Sequence, residues 1–176
     1  MLHLITGGSG SGKSEYAENL VLSSGEGPRI YIATMIPYGE EGKQRVERHR
    51  KLREKKCFRT VECYTKLSEL SIPQDGIVLL ECMSNLIANE MFEPDGAHER
   101  TVEAVMHGIR HLADQARYLF IVTNEFFSDG TPYDEEMMRY LAYLGEVNCR
   151  IAKMADKVTE VVYGIPLAIS INESTD

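Results

Sequence analysis

The stretch TGGSGSGKSE, residues 6–15, constrains the fold of this chain more than any other, because it follows directly on the apolar run MLHLI. Gly7, four further residues and then Gly12, Lys13 and Ser14 fit the spacing G-x-x-x-x-G-K-[ST] of a phosphate-binding loop. Glycine lets backbone N–H groups converge on an anion without steric cost, which explains why a Gly/Ser-rich segment follows a buried strand. The spacing therefore predicts a nucleotide site.

Two side chains of this loop carry the expected chemistry. Lys13 would reach the outer phosphates of a nucleotide, and Ser14 would offer its hydroxyl to Mg²⁺. The segment SEYAENLVLSS would form a helix whose N-terminal dipole faces the phosphates. An ordinary Gly/Ser turn is the alternative, but strand, loop and helix occur in the order that a phosphate-binding loop requires.

Short apolar runs and helical patterns alternate along the chain. The runs are rich in Ile, Val and Leu, which is typical of strands buried on both faces of a sheet. This alternation predicts an α/β fold, a mainly parallel sheet with helices on both faces. The last run contains Gly164 and Pro166, so we expect a hairpin or a bulged antiparallel edge there. The predicted strands are 2–6, 29–34, 76–82, 118–124 and 158–170, and the predicted helices are 13–23, 40–56, 82–92, 97–116 and 133–155.

Length and composition limit the class of protein. A chain of 176 residues with 43% hydrophobic residues is predicted to form a single domain, 1–176, with a sizeable core. Its net charge of −8 argues against general nucleic-acid binding. Residues 1–15 lack the pattern of a secretory signal, and no apolar span of 18 residues occurs, so we expect a soluble, cytoplasmic protein without a membrane span. Four cysteines without metal-binding spacing are interpreted as reduced thiols, namely Cys57, Cys63, Cys82 and Cys149.

Positive charge is concentrated in one segment. Residues 43–59 contain nine of the nineteen Lys and Arg residues but only two acids, Glu47 and Glu54. That segment therefore carries +7 and the rest of the chain −15, since the total is −8. A basic segment in an acidic protein suggests a local site for a polyanion such as a triphosphate. The alternative is a solvated helix face.

Polar residues follow the predicted strands at their carboxyl ends, where parallel sheets bind ligands. Glu81 comes after four apolar residues, as the acidic residue of a Walker B strand does. It would hold Mg²⁺ through water or accept a hydrogen bond from a ribose hydroxyl, and the alternative is a cap of the next helix. Thr123, Asn124 and Glu125 follow the fourth strand and would contact substrate or metal, or only make hydrogen bonds within the loop.

The predicted helix after the second strand is unusually polar, with Val46 and Leu52 as its only large aliphatic residues. Such a helix buries little apolar surface, so stability explains it poorly. Arg45, His49 and Arg53 are spaced four residues apart on one face, from which they could clamp a polyphosphate. A neutral His49 would also be a nucleophile that attacks an α-phosphorus and expels pyrophosphate, although the spacing by itself favours a surface histidine.

Several stretches, spread nearly from end to end, resemble one known family. The chain is similar to the bifunctional adenosylcobinamide kinase / adenosylcobinamide-phosphate guanylyltransferases of cobalamin synthesis. The combination of YIAT, RVERHRKLR and RTVE is far more specific than the phosphate loop, which many families share. The resembling stretches are TGGSGSGKS, YIAT, RVERHRKLR, FRTVE, VLLECMSNLIANEMF, IVTNE, GEVNCRIAKMADKV and GIP.

The resemblance implies a two-step enzyme built on a RecA-like P-loop NTPase domain. ATP or GTP would first phosphorylate the hydroxyl on the aminopropanol arm of adenosylcobinamide, a corrinoid. GTP would then guanylylate a histidine, from which GMP passes to the new phosphate and gives adenosylcobinamide-GDP. Members of the family form trimers, so the resemblance also implies a homotrimer.

The resemblance further implies which residues act. The histidine of the family pattern R-[IV]-x-x-H-[RK] carries GMP, and it corresponds to His49 rather than to His98, His107 or His111. Together with the roles that the loop spacing and the strand end predict, His49 and Lys13 would be the catalytic residues, and Ser14 and Glu81 would hold the metal. By the same match, the nucleotide would contact Gly7, Gly8, Ser9, Gly10, Ser11, Gly12, Lys13, Ser14, Thr34, Met35, Ile36, Arg50, Lys51, Leu52, Arg53, Glu62 and Glu81.

The chain departs from the family pattern at several positions. Gly10 stands where the family has Arg, Phe58 where it has Trp, and Tyr-Leu-Ala at 140–142 where it has Phe-Arg-Asp. After VTNE, this chain has FFSDGTPYDEE in place of a Val-Gly, Ile-Val-Pro-like segment. Nucleotide and histidine chemistry are unaffected. The altered segment 126–142 keeps open a kinase for another small hydroxyl substrate. A non-catalytic nucleotide-binding module is the third alternative, and the basic helix favours the two enzymes over it.

Overall fold

A computed structural model of the protein describes residues 1–54, 56–125 and 134–169, without the side chains at positions 41, 45, 48, 49 and 52–54. Residues 133 and 170, with which a predicted helix begins and a predicted strand ends, therefore lie outside the described part. Among the described residues, no helix combines the length and the apolar character needed to cross a membrane.

Strands and helices alternate along the described chain, as the sequence predicts. The strands are β1 (Leu2–Thr6), β2 (Arg29–Ala33), β3 (Arg59–Glu62), β4 (Gly76–Glu81), β5 (Ala116–Val122), β6 (Lys157–Val162) and β7 (Ile165–Ile169). The helices are α1 (Lys13–Ser23), α2 (Gly39–Glu54), α3 (Met83–Phe92), α4 (Thr101–Gln115) and α5 (Glu135–Met154), with 3₁₀ turns at Leu67–Glu69 and His98–Arg100.

The seven strands form one sheet in the order β3-β2-β4-β5-β1-β6-β7. β1 to β6 pair in parallel, and β7 pairs antiparallel with β6. The order inserts β5 between β1, which leads into the phosphate loop, and β4, which ends in Glu81. The predicted P-loop fold, with a mainly parallel sheet and an antiparallel C-terminal edge, is confirmed.

Helices cover both faces of this sheet because alternate strand residues point to opposite sides. On one face, Ala17 and Val21 of α1 are buried against Ile5, Leu79 and Phe120 of the strands. On the other face, α3, α4 and α5 pack on the remaining strand residues. Burial of one large apolar side chain contributes about 1.5–3 kcal/mol, and a slip of one residue in a strand would expose its whole buried set. The core therefore fixes which residues reach the carboxyl edge of the sheet.

The structure differs from the sequence predictions at three elements. β3 is not predicted, because its four partly exposed residues at the sheet edge form no apolar run. The predicted helix 97–116 is a 3₁₀ turn followed by α4, which ends at Gln115 because Ala116 already pairs with Gly76 in the sheet. The fourth predicted strand accordingly starts earlier and ends at Val122.

The C-terminal edge is the hairpin that Gly164 and Pro166 predict. Its turn residues Tyr163 and Gly164 have φ values of 50° and 79°, as a two-residue type I′ turn requires. Alternate residues of β7 form an exposed apolar row along this edge, with exposed fractions of 61%, 48% and 45%. The row consists of Ile165, Leu167 and Ile169.

Candidate functional site

The phosphate loop connects β1 to α1, and its backbone requires glycine at two positions. Gly7 has a φ of +151°, and a Cβ atom there would lie 2.5 Å from the carbonyl oxygen of Val161. Gly12, the N-cap residue of α1, has a φ of 90°, and a Cβ atom there would lie 3.3 Å from Gly164 Cα. The loop is thus packed directly against the hairpin of β6 and β7.

Backbone hydrogen bonds hold the loop in shape. The N–H of Ser11 donates to the carbonyl oxygen of Gly8 at 3.2 Å, and the N–H of Gly164 donates to that of Ser11 at 2.8 Å. Gly8, Ser9 and Gly10 form the exposed crest of the loop. An anion that enters from solvent would therefore meet backbone at the crest before any bulky side chain.

Lys13 begins α1 with its side chain inside the loop, where only 8% of the residue is exposed. Its Nζ donates to the carbonyl oxygen of Gly8 at 2.9 Å. Burial lowers the pKa of Lys13, while the nearby Cys82 and Glu81 act in the opposite direction. A phosphate oxygen in the loop would find a partly desolvated ammonium beside it, which strengthens their attraction.

Ser14 and Glu81 meet next to the loop. Glu81 ends β4, which β5 separates from β1, yet its Oε1 accepts a hydrogen bond from Ser14 Oγ at 2.7 Å. Its Oε2 accepts from the phenol of Tyr31. The Glu81 carboxylate is therefore oriented toward the phosphate loop. The N-cap residue of α3 is Cys82, which makes no side-chain cap hydrogen bond, so the helix-capping alternative does not describe Glu81.

This pair of oxygens suits a magnesium ion that arrives with a nucleotide. Hydroxyl and carboxylate oxygens are the ligands that Mg²⁺ prefers, and the ion usually fills its remaining positions with phosphate oxygens and water. Among the described residues, no group of three or more His, Cys, Asp or Glu side chains could hold a metal alone. Ser14 and Glu81 thus offer two oxygens of the kind that Mg²⁺ prefers.

The loop after β2 joins the site through Thr34, which is fully buried. Its Oγ1 donates to the carbonyl oxygen of Cys82 at 2.8 Å and accepts from the Cys82 N–H at 2.7 Å. Its own carbonyl oxygen accepts from Asn89 Nδ2 at 2.7 Å. Thr34 therefore ties the β2 and β4 edges together, while the next residues, Met35 and Ile36, are partly exposed.

A cleft of about 200 Å³ opens beside these loops, lined by Glu62, Glu81 and Val46 of α2, among others. Tyr64, which also lines the cleft, donates its phenol to Glu62 Oε2 at 3.0 Å. Burial and this hydrogen bond raise the pKa of Tyr64 to about 12, so its phenol remains a donor at neutral pH. The cleft thus presents two carboxylates and one face of α2 next to the phosphate loop.

Comparison with known proteins shows which family this chain belongs to. Residues 3–169 match the model of the cobinamide kinase / cobinamide phosphate guanyltransferase family. The chain belongs to this family. It is 32% identical to the bifunctional adenosylcobalamin biosynthesis protein CobU of Salmonella typhimurium over an alignment of 186 positions, which spans 96% of this chain and 99% of the relative. The protein CobP of Pseudomonas aeruginosa, also named as a bifunctional adenosylcobalamin biosynthesis protein, is 30% identical over 96% of this chain and 97% of its own. Among solved structures, a KaiC-like protein of Pyrococcus horikoshii OT3 has a TM-score of 0.47 and 13% identity, over 90% of this chain and 71% of that chain.

Membership in the cobinamide kinase / cobinamide phosphate guanyltransferase family confirms the resemblance seen in the sequence, and with it the prediction of an enzyme with two activities. The family pattern R-[IV]-x-x-H-[RK] lies on α2. Arg50 and Lys51 are exposed there, and Lys51 Nζ lies 3.5 Å from the carboxylate of Glu47. The roles of the family histidine and of its basic neighbours stay predictions. The structure does not describe the side chains of four predicted residues on this helix, namely Arg45, His49, Leu52 and Arg53.

The polar residues after β5 make hydrogen bonds within the protein. Thr123 Oγ1 donates to Asn148 Oδ1 of α5 at 2.8 Å. Asn124 Nδ2 donates to Ser84 Oγ at 2.7 Å and to Cys82 Sγ at 3.2 Å. Of the two alternatives that the sequence leaves open, the structure therefore shows the hydrogen bonding, and it brings Asn124 to the edge where Glu81 and Lys13 lie.

Three residues at the site are not singled out by the sequence: Tyr31, Tyr64 and Asn89. Tyr31 carries the one signal that could have been used, because a tyrosine inside a buried strand needs a partner for its hydroxyl. That partner, Glu81, lies on a neighbouring strand. Asn89 donates to the carbonyl oxygens of both Thr34 and Tyr64, a role that depends on three separate segments meeting.

Proposed function

We propose that this protein phosphorylates adenosylcobinamide with ATP or GTP and then guanylylates the product, giving adenosylcobinamide-GDP in cobalamin biosynthesis. The observation that carries the proposal is the shared cleft, in which Glu81 beside the phosphate loop and Val46 of α2 line the same space. One nucleotide can therefore lie between the loop that serves phosphoryl transfer and the helix that carries the family histidine. The family match over residues 3–169 supports the choice of substrates.

In the first step, the hydroxyl oxygen of the aminopropanol arm attacks the γ-phosphorus of ATP or GTP. The bond from this phosphorus to the bridging oxygen breaks, the nucleoside diphosphate leaves, and the hydroxyl proton passes to solvent. Lys13 donates to the outer phosphates while the backbone of the loop holds them in place. Positioning and charge stabilisation of this kind account for most of the catalysis in phosphoryl transfer.

Mg²⁺ belongs to the proposal because of the paired oxygens of Ser14 and Glu81, which lie 2.7 Å apart. These two side chains would hold the ion, and bound Mg²⁺ supplies charge neutralisation for the phosphates. The phenol of Tyr31 keeps the Glu81 carboxylate turned toward Ser14. The protein's own contribution is thus a preformed pair of oxygens next to the loop.

In the second step, an imidazole nitrogen of His49 attacks the α-phosphorus of GTP, a P–N bond forms, and pyrophosphate leaves. A phosphate oxygen of the phosphorylated corrinoid then attacks the same phosphorus, the P–N bond breaks, and His49 is restored. Position 49 is three residues beyond Val46, so both positions belong to one face of α2. Because Val46 lines the cleft, this spacing supports an approach of the histidine to a nucleotide bound there.

The remaining nucleotide contacts are proposed in the phosphate loop, around the same cleft and on α2. Met35 and Glu62 line the cleft directly, and Arg50 and Lys51 are exposed on α2, the helix that contributes Val46 to the cleft wall. Basic side chains on this helix would complement the charge of a triphosphate. The full set comprises Gly7, Gly8, Ser9, Gly10, Ser11, Gly12, Thr34, Met35, Ile36, Arg50, Lys51, Leu52, Arg53 and Glu62, together with Lys13, Ser14 and Glu81.

The proposal extends to domain organisation and assembly. Residues 1–176 act as one nucleotide-binding domain, which the single sheet supports because it joins β1 to β6 and β7 from the other end of the chain. Three copies form a homotrimer, and the exposed apolar row of β7 offers a surface for contacts between chains. The cytoplasm is the proposed compartment, since ATP and GTP are available there. Sedimentation equilibrium would test the trimer, and a monomer at micromolar concentration would contradict it.

Intact mass after incubation with GTP and Mg²⁺ tests the central proposal. We expect the mass to rise by one GMP per chain, with release of pyrophosphate. The adduct should survive alkali and break in acid, as a phosphoramidate does and a phosphoester does not. Phosphorylation of adenosylcobinamide by ATP is assayed separately on the same protein.

A kinase for another small hydroxyl substrate is the second candidate. It is favoured by the altered run at 140–142, where the hydroxyl of Tyr140 donates to the carbonyl oxygen of Ser84 at 3.3 Å. A protein that phosphorylates adenosylcobinamide but never takes up GMP would be a plain kinase. A protein that does neither would have a different substrate, with the altered segment 126–142 as the first place to look.

A further inference from the structure

Part of the cleft wall is built from the segments that follow β2 and β3. The segment after β2 contributes Thr34 and Met35, and the end of β3 with the residues after it contributes Glu62 and Tyr64. Both strands lie beyond β4, whereas the phosphate loop follows β1, on the other side of β5. In the proposed function, the nucleotide extends from the phosphate loop into the cleft, so its nucleoside would reach these two segments.

One buried side chain of α3, that of Asn89, joins the two segments. Its Nδ2 donates to Thr34 O at 2.7 Å and to Tyr64 O at 3.0 Å. A side-chain amide has two N–H groups, so each segment takes one of them. The next residue, Glu90, accepts from the N–H of Lys66 at 2.6 Å, which anchors the chain after Tyr64 to the same helix. Helix α3 therefore fixes the two segments relative to each other.

The two partners of Asn89 pass this position on to other parts of the cleft. Tyr64 donates its phenol to Glu62 Oε2 at 3.0 Å. Thr34 Oγ1 donates to Cys82 O at 2.8 Å and accepts from the Cys82 N–H at 2.7 Å, at the end of β4. Because Asn89 donates to two backbone carbonyl oxygens, it acts on the cleft through these segments. Loss of its amide would free both of them to shift.

We propose that Asn89 is a positioning residue for the nucleoside part of the bound nucleotide. The inference rests on the proposed function, in which Met35 and Glu62 contact the nucleotide, and it adds the residue that fixes where these contacts stand. The phosphate loop is held by other bonds, from the N–H groups of Gly164 and Glu125. Asn89 therefore controls the affinity for the nucleoside and leaves the affinity for the outer phosphates unchanged.

Calorimetry with two probes tests this inference, namely GMP and inorganic tripolyphosphate, each with Mg²⁺ and without corrinoid. In Asn89→Ala, GMP should bind roughly tenfold more weakly, since two buried carbonyl oxygens lose their donor and the segments to which they belong shift. Tripolyphosphate binding should stay within about twofold, because the bonds that hold the phosphate loop are untouched. A residue that only stabilised the fold would not change the ratio of the two affinities.

Gln115→Ala is the matched control, because this amide also joins separate segments. Its Nε2 donates to Leu70 O at 3.3 Å and to His111 O at 3.1 Å, next to the start of β5 rather than at the carboxyl edge of the sheet. The control should leave both affinities unchanged. Tyr64→Phe is a second test, since it removes only the phenol that links the held backbone to Glu62. It should weaken GMP binding several-fold and leave tripolyphosphate binding unchanged.

Three results would overturn the inference. Equal weakening of GMP and tripolyphosphate binding would make Asn89 a structural residue of the whole site. Wild-type affinity for GMP in a folded Asn89→Ala protein would show that the bridge does not position the nucleoside. If Asn89→Ala does not fold, wild-type affinity for GMP in Tyr64→Phe would have the same meaning. The mass and kinase assays on the unaltered protein judge the proposed function separately, because neither involves a change at Asn89.

Discussion

Helix α2 lines the cleft through Val46, and the phosphate loop adjoins it through the hydrogen bond from Ser14 to Glu81, yet the protein holds loop and helix in different ways. The loop is fixed through its backbone: Ser11 O accepts from the N–H of Gly164 at 2.8 Å, and Gly7 O accepts from that of Glu125 at 3.4 Å. These bonds join it to the hairpin on one side and to the end of β5 on the other. The loop is therefore shaped before a nucleotide arrives, which reduces the ordering that binding requires.

Helix α2 carries two ion pairs that lie within the helix and are exposed. Lys43 Nζ lies 2.8 Å from Glu40, and Lys51 Nζ lies 3.5 Å from Glu47. Exposed pairs of this kind contribute about 0.2–1 kcal/mol each. These two pairs therefore add little to the stability of the helix.

Side chains just outside α2 attach its ends to other elements. Before the helix, Tyr38 donates its phenol to Glu93 Oε1 at 2.5 Å, and after it, Lys56 forms an ion pair with Glu18 of α1. The comparison teaches that the two proposed activities rest on different kinds of order. Phosphoryl transfer uses a backbone packed on the core, whereas guanylyl transfer uses a polar helix tethered at its ends.

His49→Ala is expected to separate the activities of the two regions more than any other change. The variant should lose the GMP adduct and guanylyl transfer completely but keep most kinase activity, which uses Lys13 and Ser14 instead. His49→Asn should behave in the same way, because an amide is not a nucleophile. Intact mass and a phosphorylation assay measure both effects. The control is His107→Ala, on an exposed position of α4, which should take up GMP normally. An adduct on the His49 variant would place the nucleophile elsewhere.

Lys13→Ala tests the phosphate loop. The kinase rate should fall by about 10²–10³-fold, since one charged contact to the transferring phosphate is lost. Circular dichroism should show an unchanged fold. Lys43→Ala removes the same charge from an exposed position on α2 and should have little effect on the kinase rate. Wild-type kinase activity in a folded Lys13→Ala protein would refute the assignment of the loop.

Gly7→Ala tests whether the loop really depends on the core. The new Cβ atom would lie 2.5 Å from Val161 O, so the backbone must shift, and we expect the free energy of unfolding to fall by about 1–3 kcal/mol. Gly8→Ala is the matched control, because its Cβ atom would have no neighbour within 4 Å. Urea unfolding measures both variants. Equal stability of the two would mean that the loop is not packed against the hairpin.

Glu81→Gln should have a smaller effect, confined to nucleotide binding with magnesium. The amide keeps the shape of the side chain but loses the charge that attracts the ion, so Mg·GTP should bind roughly tenfold more weakly. Binding of inorganic phosphate without the metal should not change. Calorimetry measures both, with Glu26→Gln at an exposed position as the control. Unchanged affinity for Mg·GTP would limit Glu81 to its contacts with Ser14 and Tyr31.

The smallest effect is expected at the tether of α2. Lys56→Gln removes the ion pair with Glu18, and because the Lys56 side chain is 38% exposed, the free energy of unfolding should change by less than about 1 kcal/mol. The kinase rate should stay constant. Thermal unfolding measures the change beside Lys43→Gln, which breaks an exposed pair within the helix. A loss of several kcal/mol would show that the tether is part of the core.

The phosphate loop could be predicted from the sequence because its chemistry is local: the glycines, Lys13 and Ser14 are neighbours in the chain. The alternating strands and helices were predictable for the same reason, since each pattern lies within one element. The strand β3 was not, because a short edge strand stabilised by pairing with β2 has no apolar run of its own.

The contacts that complete the site depend on the order of strands, which no local pattern specifies. Tyr31 meets Glu81 only because β2 and β4 are neighbours, and Asn124 meets Cys82 only because β5 lies beside β4. The family resemblance named Glu62 and Glu81 as nucleotide contacts, yet it did not reveal the tyrosines that orient them.

The hydrogen bond from Gly164 to Ser11 joins two segments that lie far apart in the chain, which has a consequence during synthesis. The hairpin that supports the phosphate loop leaves the ribosome about 150 residues after the loop itself, at roughly 5–20 residues per second. β1 likewise waits for both of its neighbours, β5 and β6. Until residue 164 has emerged, the phosphate loop of a nascent chain lacks the hydrogen bond and the packing that the hairpin supplies.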